Sequence, residues 1–550
     1  MPIVKHIRAQ SLSGDWSTGV VEWWSDGSRT QHSNTPLLQH SISFARLASQ
    51  IFSRSLKKEF FGTLRGFCSV LLCALALAAQ PTLWAQETET PAASKVERKN
   101  LAPVSRDVLR VKLPKPVEAK LKNGLTVLVM EDRRAPFVSI QLYIGGAGAL
   151  FEPAPLAGLA STTAQMLREG TKSRTSIQIA EAIDRLGANL GAGSSFGSSE
   201  VVLSASGLSD NFDAWFEIVL DVLLNPSFPA DELEKLKQRQ RVQLRQQRSS
   251  ANFLASERFN RAVYNGHPAA IVSQNEKSVD ALNREMLVQW HRERYGPQDA
   301  ILGVAGNVRA AELIAKLEKL LARWQASGMK EAWPRDPVAA SARKVFLVHR
   351  PNSVQTTVAL GNIAIDRRSP DYFSMVVMNH VIGAGSSGRL FINLREEKGY
   401  TYGVYSDFSA LRYPGPWRAG GNMRTEVTEP ALVEFFNEIR RVRDEPVPAA
   451  ELAASKRAIA ASFALSLEQP SAPLNFAIVS KRYGLPAGYW DAYPAKIMAI
   501  SAADVRRVAR KYLNPETMQL VAVGDGKMIK AGLEKYGPLE VYDDEGRPVP

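Results

Sequence analysis

Arg395 and Tyr402 carry hydrogen-bond donors that could stabilise negative charge without a metal ion. A guanidinium and a phenol both donate to oxygen, and such donors assist catalysis where charge develops on a substrate. Residues 388–403 read GRLFINLREEKGYTYG, which predicts a helix ending at Gly399 and a following strand that carries Tyr402. The alternative interpretation is structural: Arg395 pairs with a neighbouring glutamate, and Tyr402 is a buried strand aromatic.

The histidines are spaced too widely for a metal site on one helix. Seven are present, and none lies within a helical turn of another. Two imidazoles four residues apart share a helix face and could reach one ion, and this chain has no such pair. Those outside the N-terminal region are far apart in sequence: His267, His291, His349 and His380. We interpret them as surface or hydrogen-bonded core residues, with a site assembled from distant segments as the alternative.

A glycine-rich run occupies residues 382–388 and contains Gly383, Gly385 and Gly388. It lacks the lysine and the preceding strand of a phosphate-binding loop, so nucleotide binding is not expected. A tight turn between two helices is one interpretation of this run.

The N-terminal region contains a predicted export signal. Residues 1–56 lack sustained periodicity and are predicted to be disordered or to reflect a mis-assigned start. Residues 57–85 place basic residues before a short apolar run and then small residues, the order of a secretory signal peptide. The apolar run at 66–79 is shorter than the roughly 20 residues that a membrane span needs, although a single-pass membrane anchor is the alternative. We therefore expect an exported, periplasmic protein.

Both cysteines, Cys68 and Cys73, lie inside this signal, so a mature chain starting near Gln86 has no thiol. Such a chain has no disulfide framework, no thiolate metal site and no cysteine nucleophile. A lipid anchor on Cys73 is disfavoured by the two bulky leucines before it. Loss of residues 1–85 removes eight Lys/Arg and four Asp/Glu, which lowers the formal charge from +13 to +9. That charge suits acidic peptides or membrane surfaces and selects neither.

The mature region contains an internal repeat with a nearly constant offset. Residues 295–306, a Tyr and Pro before an apolar run, recur at 512–524. Residues 229–237 recur at 448–456, with PADEL replaced by PAAEL. The agreement in offset between two well-separated matches indicates two copies of one structural unit.

The repeat divides the mature chain into two modules. We predict an extension at 86–114, module 1 at 115–326, a linker at 327–342, module 2 at 343–535 and a C-terminal tail at 536–550. The turn signal Asn123-Gly124 precedes an apolar strand pattern, and residues 138–142 alternate as a half-buried strand does. Because strands and helices are segregated within each module, the pattern favours an α+β fold.

These features together resemble the pitrilysin-type peptidase superfamily over roughly residues 115–535. The segments that carry the resemblance are 121–125 (LKNGL), 148–171, 264–268 (YNGHP) and 383–405. The resemblance implies two homologous modules, each a mixed, mostly antiparallel sheet packed with helices, arranged as a clam shell. Active members carry an H-x-x-E-H helix, in which two histidines bind zinc and the glutamate is the base, and a glutamate ligand some 75 residues on.

The chain departs from the family pattern at this zinc motif. The matching run, 158–166, has Ala160 and Ala164 at the histidine positions and Thr163 at the position of the base. Alanine cannot ligate a metal, and a threonine hydroxyl is not a base near neutral pH. The region of the third ligand offers Glu232 and Glu234 among many basic residues. We therefore expect no metal on this chain.

The family's Arg/Tyr motif is retained. Arg395 and Tyr402 match the pair that, in family members, contacts the substrate backbone and steadies the oxyanion. The resemblance also suggests a second interpretation of the glycine-rich run, as a flexible loop that binds substrate through Gly383, Gly385 and Gly388. The basic run at 235–248 is interpreted as a solvated helix face, with a positive wall that steers acidic peptides as the alternative.

We expect a non-catalytic, substrate-binding subunit of a heteromeric zinc metallopeptidase. Its partner would be a homologous chain with an intact H-x-x-E-H motif, in a heterodimer or larger assembly, and that partner would hold the zinc ion. Peptides would be the substrates, and no nucleic acid partner is expected. The alternatives are a structural subunit and a peptide-capturing pseudoenzyme, neither of which hydrolyses peptides.

Overall fold

The computed structural model of the protein describes residues 108–327 and 333–549. The predictions for 1–56 and 57–85, and most of the predicted extension, lie outside these ranges. Within them, no helix is both long and apolar enough to span a bilayer.

The first module starts with strands joined by tight turns. Gly124 has a φ of +98°, which glycine tolerates, and it ends the turn that the Asn-Gly pair predicts. The strands are β1 (Val117–Lys120), β2 (Thr126–Glu131), β3 (Phe137–Gly145), β4 (Asn189–Gly193), β5 (Glu200–Leu208) and β6 (Ala300–Gly306). The helices are α1 (Leu159–Met166), α2 (Ser176–Arg185), α3 (Phe212–Leu224), α4 (Ala230–Arg248), α5 (Ala251–Tyr264), α6 (Glu276–Ala281), α7 (Arg284–Arg294) and α8 (Ala310–Leu320).

The second module repeats this order of elements, except that it lacks a counterpart of β1 and ends in an additional strand. Its strands are β7 (Val345–His349), β8 (Gln355–Ile363), β9 (Thr401–Ala410), β10 (Pro414–Arg424), β11 (Gln519–Gly524) and β12 (Leu539–Tyr542). Its helices are α9 (Tyr372–Ile382), α10 (Arg389–Phe391), α11 (Thr428–Asp444), α12 (Ala449–Ser466), α13 (Ala472–Tyr483), α14 (Tyr493–Ala499), α15 (Ala502–Tyr512) and α16 (Gly526–Glu534). A π-helix, Ile392–Glu397, continues α10. Short 3₁₀ turns lie at Ala149–Phe151, Ala154–Leu156, Leu167–Glu169, Ser209–Asn211, Pro268–Ala270 and Thr425–Val427.

Each module contains one mixed sheet, and five of the six strands correspond between the two sheets, the exceptions being β1 and β12. Among the described residues both have six strands, in the orders β1-β2-β6-β3-β5-β4 and β12-β7-β11-β8-β10-β9. Most neighbouring strands are antiparallel, whereas β2 with β6 and β7 with both β11 and β12 are parallel. The α+β class, the two-module organisation and the mostly antiparallel sheets are confirmed.

The sixth strand of the second sheet comes from the segment that was predicted to be a C-terminal tail. Residues 536–550 contain β12, which pairs with β7 from Leu539 to Tyr542. Without β12, β7 would be an edge strand with a row of unpaired backbone donors and acceptors, and β12 pairs with this edge. The predicted end of module 2 at 535 is therefore too early. At the other end, the Leu113 amide donates to Asp491 Oδ1 at 2.9 Å, so part of the predicted extension packs on module 2.

The two modules exchange one helix each. Helix α5 of module 1 packs on the second sheet, where Leu254 and Phe259 meet Val521 and Val523 in one buried cluster. Helix α13 of module 2 packs on the first sheet through Leu474, Ile478, Leu128, Met130 and Ala305. Each buried leucine or phenylalanine contributes about 1.5–3 kcal/mol relative to exposure. The exchange covers a sheet face that each module alone would leave open.

Polar contacts reinforce this interface between the modules. Arg482 on α13 binds Glu200 on β5, with Nε and Nη2 at 2.9 and 2.8 Å from Oε1. The Tyr413 hydroxyl donates to the carbonyl of Gly197 at 2.7 Å. Both contacts join residues more than 200 positions apart, so the two modules are held at several points.

Candidate functional site

Helix α1 carries the positions of the family zinc motif, and a buried carboxylate holds its N-terminus. Glu152 Oε1 and Oε2 accept the amides of Gly158 and Ala160 at 2.8 and 2.9 Å. A carboxylate there binds open amide donors and complements the helix dipole. Burial raises the pKa of Glu152 to about 7, against the lowering effect of these amide hydrogen bonds. The hydrogen bonds that hold the N-terminus of α1 in place are therefore present.

The side chains that α1 presents do not fit a zinc ion. Ala160, Thr163 and Ala164 lie at i, i+3 and i+4, on one helix face, and each is fully buried. Two methyl groups and one hydroxyl replace the donors of the family motif, and the Thr163 hydroxyl has no hydrogen-bond partner. Zinc in proteins takes imidazole, thiolate or carboxylate ligands.

Gln240 on α4 completes the altered motif, and sequence reasoning missed it. It lies 76 positions after Ala164, near the spacing that the family resemblance implies for the third ligand. Its Nε2 donates to the Thr162 hydroxyl on α1 at 3.1 Å, and its buried Oε1 has no partner. Glu232 and Glu234, considered for this role, form ion pairs with Lys235 and Lys237. The distance in sequence from α1 was the signal that could have identified Gln240.

Three of the four histidines in the described ranges contact backbone groups, whereas the buried Nδ1 of the fourth, His380, has no hydrogen-bond partner. His291 Nε2 lies 2.8 Å from the carbonyl of Leu223, and burial lowers the pKa of His291 to about 4. The Nδ1 atoms of His267 and His349 accept backbone amides at 3.2 and 2.9 Å. No group of three His, Cys, Asp or Glu in the described ranges could hold a metal ion. These donors do not form a replacement for the altered motif.

The second candidate site is the Arg395/Tyr402 pair, which lies on the outer edge of the second sheet. Arg395 belongs to the π-helix that follows α10, and Gly399 ends this segment with a φ of +62°. Tyr402 lies on β9, so the predicted helix, glycine stop and strand are confirmed. The Arg395 guanidinium lies 4.8 Å from the Phe391 ring centroid and 3.5 Å from Glu396. Pairing with a neighbouring glutamate is therefore present, as the structural interpretation predicted.

Tyr402 is 87% exposed, so its interpretation as a buried aromatic is wrong. A β-bulge explains this exposure. Gly403 pairs with Asn422 and Thr401 pairs with Met423, which leaves Tyr402 as the extra residue on β9. Bulges redirect a side chain and are common next to active sites. Both the bulge and the π-helix are local departures from regular geometry that place the two donors.

Buried polar contacts anchor the helical segment that carries Arg395. Arg389 makes a two-point contact with Glu451, with Nε–Oε1 and Nη2–Oε2 distances of 2.7 and 2.9 Å. Asn393 Nδ2 donates to Glu438 at 2.8 Å and to Glu434 at 3.1 Å. Side chains that are held in this way give a site a defined geometry.

The glycine-rich run is a tight connection between α9 and α10. The Ser406 amide donates to the Gly383 carbonyl at 2.8 Å. A Cβ added to Gly388 would lie 2.7 Å from the Gly383 Cα, whereas one added to Gly385 would meet open space. The run therefore connects two helices, as the first interpretation predicted. A substrate-binding role for Gly383, Gly385 and Gly388 stays a prediction.

The basic run on α4 is compensated by acidic neighbours. The pairs are Lys235–Glu232, Lys237–Glu234, Arg241–Asp280, Arg245–Glu276 and Arg248–Glu257. Such pairing supports the interpretation as a solvated helix face over that of a positive wall.

The two candidate sites lie on different modules. No hydrogen bond or ion pair within the described ranges joins Arg395 or Tyr402 to α1. The pair presents two donors to solvent, the Arg395 guanidinium on the π-helix and the Tyr402 phenol on the edge strand β9. Chemically, it can bind carbonyl oxygen or a developing negative charge.

Solved structures share this architecture. A structure described as the peptidase M16 inactive domain from Pseudomonas fluorescens is 26% identical, covers 74% of this chain and 98% of its own, and has a TM-score of 0.69. A protease from Helicobacter pylori is 19% identical, covers 75% of this chain and 100% of its own, and has a TM-score of 0.68. The second likeness concerns the fold alone.

Sequence relatives point to the same family. A Rickettsia bellii protein named "Uncharacterized zinc protease" is 25% identical over 411 residues, covering 73% of this chain and 96% of the relative. The Bacillus subtilis protein named "Uncharacterized zinc protease YmxG" is 23% identical over 356 residues, covering 64% and 85%. Residues 126–271 match the family described as "Insulinase (Peptidase family M16)", and residues 281–459 match "Peptidase M16 inactive domain". The chain therefore belongs to the pitrilysin-type (M16) peptidase superfamily.

Proposed function

We propose that this chain is a non-catalytic, substrate-positioning subunit of a zinc metallopeptidase that acts on peptides. The observation that carries the proposal is a contrast between the two sites. Helix α1 keeps its position and its Glu152 cap but presents Ala160, Thr163 and Ala164, whereas Arg395 and Tyr402 remain exposed.

The residues of this chain would act by binding and orientation. The Arg395 guanidinium and the Tyr402 hydroxyl would donate hydrogen bonds to a peptide carbonyl and to the oxygen that gains charge on attack. Holding the peptide in a defined geometry contributes to the rate by itself. A homologous partner chain with an intact H-x-x-E-H motif would supply the zinc ion and the base, and the two chains would enclose a chamber as a clam shell. Export to the periplasm is also part of the proposal. The predicted signal peptide, residues 57–85, lies outside the described ranges.

The exposure of Tyr402 favours a binding role over a purely structural subunit. An aromatic side chain that is 87% exposed on an edge-strand bulge contributes little to packing. A peptide-capturing pseudoenzyme would use the same two donors and would differ in lacking hydrolysis by the assembly.

The test compares the purified mature chain alone, its candidate zinc-motif partner alone and the mixture. Zinc content and cleavage of fluorogenic peptides are measured for each. We expect no zinc and no cleavage with this chain alone, and cleavage by the mixture that falls at least ten-fold with Arg395→Ala or Tyr402→Phe. Arg133→Ala removes an exposed arginine whose ion pair, 3.4 Å from Glu131, resembles that of Arg395, and it is expected to have no effect.

Each other outcome has a defined meaning. Zinc-dependent cleavage by this chain alone would contradict the proposal. Cleavage by the mixture that is insensitive to both substitutions would favour the structural subunit. Tight peptide binding by this chain, with no cleavage in any mixture, would favour the peptide-capturing pseudoenzyme.

A further inference from the structure

Tyr405 lies against the structural supports of both members of the Arg/Tyr pair. It is on β9, and its ring centroid is 5.6 Å from that of Phe391. Phe391 is buried and lies beneath the Arg395 guanidinium, 4.8 Å from centroid to Cζ. A chain of ring contacts therefore runs from Tyr405 through Phe391 to Arg395.

The Tyr405 ring also covers the residue next to Tyr402. A Cβ added to Gly403 would lie 3.0 Å from Tyr405 Cε2 and 3.3 Å from its hydroxyl oxygen. The ring thus occupies the space above the Gly403 backbone, a known way of compensating for a glycine on an edge strand. Because Gly403 closes the bulge, this contact bears directly on the direction of Tyr402.

The bulge also places the two tyrosines on the same side. Residues three apart in a regular strand point to opposite faces. Here Thr401 and Val404 are both buried, whereas Tyr402 and Tyr405 are both exposed. Tyr405 remains half-exposed although its ring contacts Phe391 and covers the Gly403 backbone, and both of these groups support the site.

We propose that Tyr405 is a positioning residue that sets the distance and direction between the Arg395 guanidinium and the Tyr402 hydroxyl. Its ring supports Phe391 and also holds the bulge at Gly403. The inference rests on the proposed function, in which Arg395 and Tyr402 bind a peptide. The aromatic ring is the part that acts, and the Tyr405 hydroxyl is dispensable for it.

The first experiment measures kcat and KM of the mixed peptidase with variants of this chain. Tyr405→Ala is expected to lower kcat by roughly 10-fold to 100-fold, because small displacements of binding groups have effects of that size. Tyr405→Phe keeps the ring, so its kcat is expected to stay within about two-fold of that of the original chain. Tyr536→Ala is the matched control, since it removes a ring stacked at 5.2 Å on Phe436 in the same module.

A double-mutant cycle separates positioning from a general loss of stability. If Tyr405 acts through Arg395, adding Tyr405→Ala to Arg395→Ala lowers kcat far less than it does in the original chain. Equal losses in both backgrounds overturn the inference, as does a Tyr405→Phe variant as slow as Tyr405→Ala. Thermal melting of each variant verifies that the chain is folded.

A crystal structure of Tyr405→Ala tests the same inference without any activity. We expect Arg395 and Tyr402 to change their separation, and unchanged positions of both side chains overturn the inference. The crystal structure also distinguishes the two proposals. If Arg395→Ala and Tyr402→Phe leave cleavage intact, the proposed function fails. The structure of Tyr405→Ala still decides whether Tyr405 positions Arg395 and Tyr402.

Discussion

Removal of the Arg482 guanidinium is expected to destabilise the protein through the interface between its modules. Arg482 and Glu200 are almost completely buried, with side-chain exposures of 8% and 10%. Arg482→Met keeps most of the apolar stem and leaves the Glu200 carboxylate without its cation. Ser198 still donates to Glu200 Oε2 at 3.1 Å, but a neutral hydroxyl does not replace a counter-ion. Breaking a buried ion pair at one partner costs about 3–5 kcal/mol.

This free energy converts into a measurable melting shift. Unfolding entropy is about 2.1 cal/mol/K per residue, so roughly 440 residues that unfold together give about 0.9 kcal/mol/K. A loss of about 4 kcal/mol therefore lowers the Tm by about 4 °C. Differential scanning calorimetry measures this shift and also reveals whether the two modules begin to melt separately.

Lys481→Met provides the matched control on the neighbouring residue of the same helix. Lys481 pairs with Glu118 at 2.7 Å, with side-chain exposures of 43% and 49%. An exposed pair of this kind contributes about 0–1 kcal/mol, which corresponds to a shift of about 1 °C or less. The double variant Glu200→Leu/Arg482→Met, which leaves no buried charge, is expected to recover most of the loss. An Arg482→Met shift no larger than that of Lys481→Met would refute the reasoning.

Three further outcomes are expected. Gln240→Ala leaves the Thr162 hydroxyl buried without its donor and lowers the free energy of unfolding by about 1–3 kcal/mol in urea titrations, and an unchanged midpoint contradicts this. Because burial raises the pKa of Glu152 from 4.5 to about 7, the folded state binds its proton more tightly, so this residue's contribution to stability is complete below about pH 4.5 and falls as the pH rises to 7. Glu152→Gln should abolish this pH-dependent loss of stability, which amounts to about 3 kcal/mol. If the stabilities of the two proteins change in parallel with pH, the prediction is wrong. Gly388→Ala places a Cβ 2.7 Å from backbone and is expected to cost about 1–3 kcal/mol, whereas Gly385→Ala, in open space, is expected to melt within about 2 °C of the original chain.

Patterns within one element were readable from the sequence. The Asn-Gly turn before β2 and the helix, glycine and strand around Arg395 follow from local rules of φ and side-chain periodicity. The nearly constant offset of the internal repeat predicted two equivalent modules, and five of the six strands correspond between the two sheets. The loss of zinc donors was equally direct, since it needs only the residue types at Ala160 and Ala164.

Relations between distant elements required the tertiary structure. The role of β12 depends on the open edge of β7, which lies at the other end of the module's sequence, and so short a strand carries little signal alone. Gln240 became part of the altered motif because α4 packs against α1, which brings its amide to the Thr162 hydroxyl. The exchange of α5 and α13 has no local pattern, since each helix is equally amphipathic whichever sheet it covers.

The site shows the same division. The sequence by itself determined which donors are present, because chemistry belongs to the residue types of Arg395 and Tyr402. Only the tertiary structure decided that Tyr402 points to solvent, because the bulge arises from pairing between β9 and β10. Local geometry is set by a few neighbouring dihedral angles, whereas the direction of a side chain on a sheet edge is set by contacts that many residues make together.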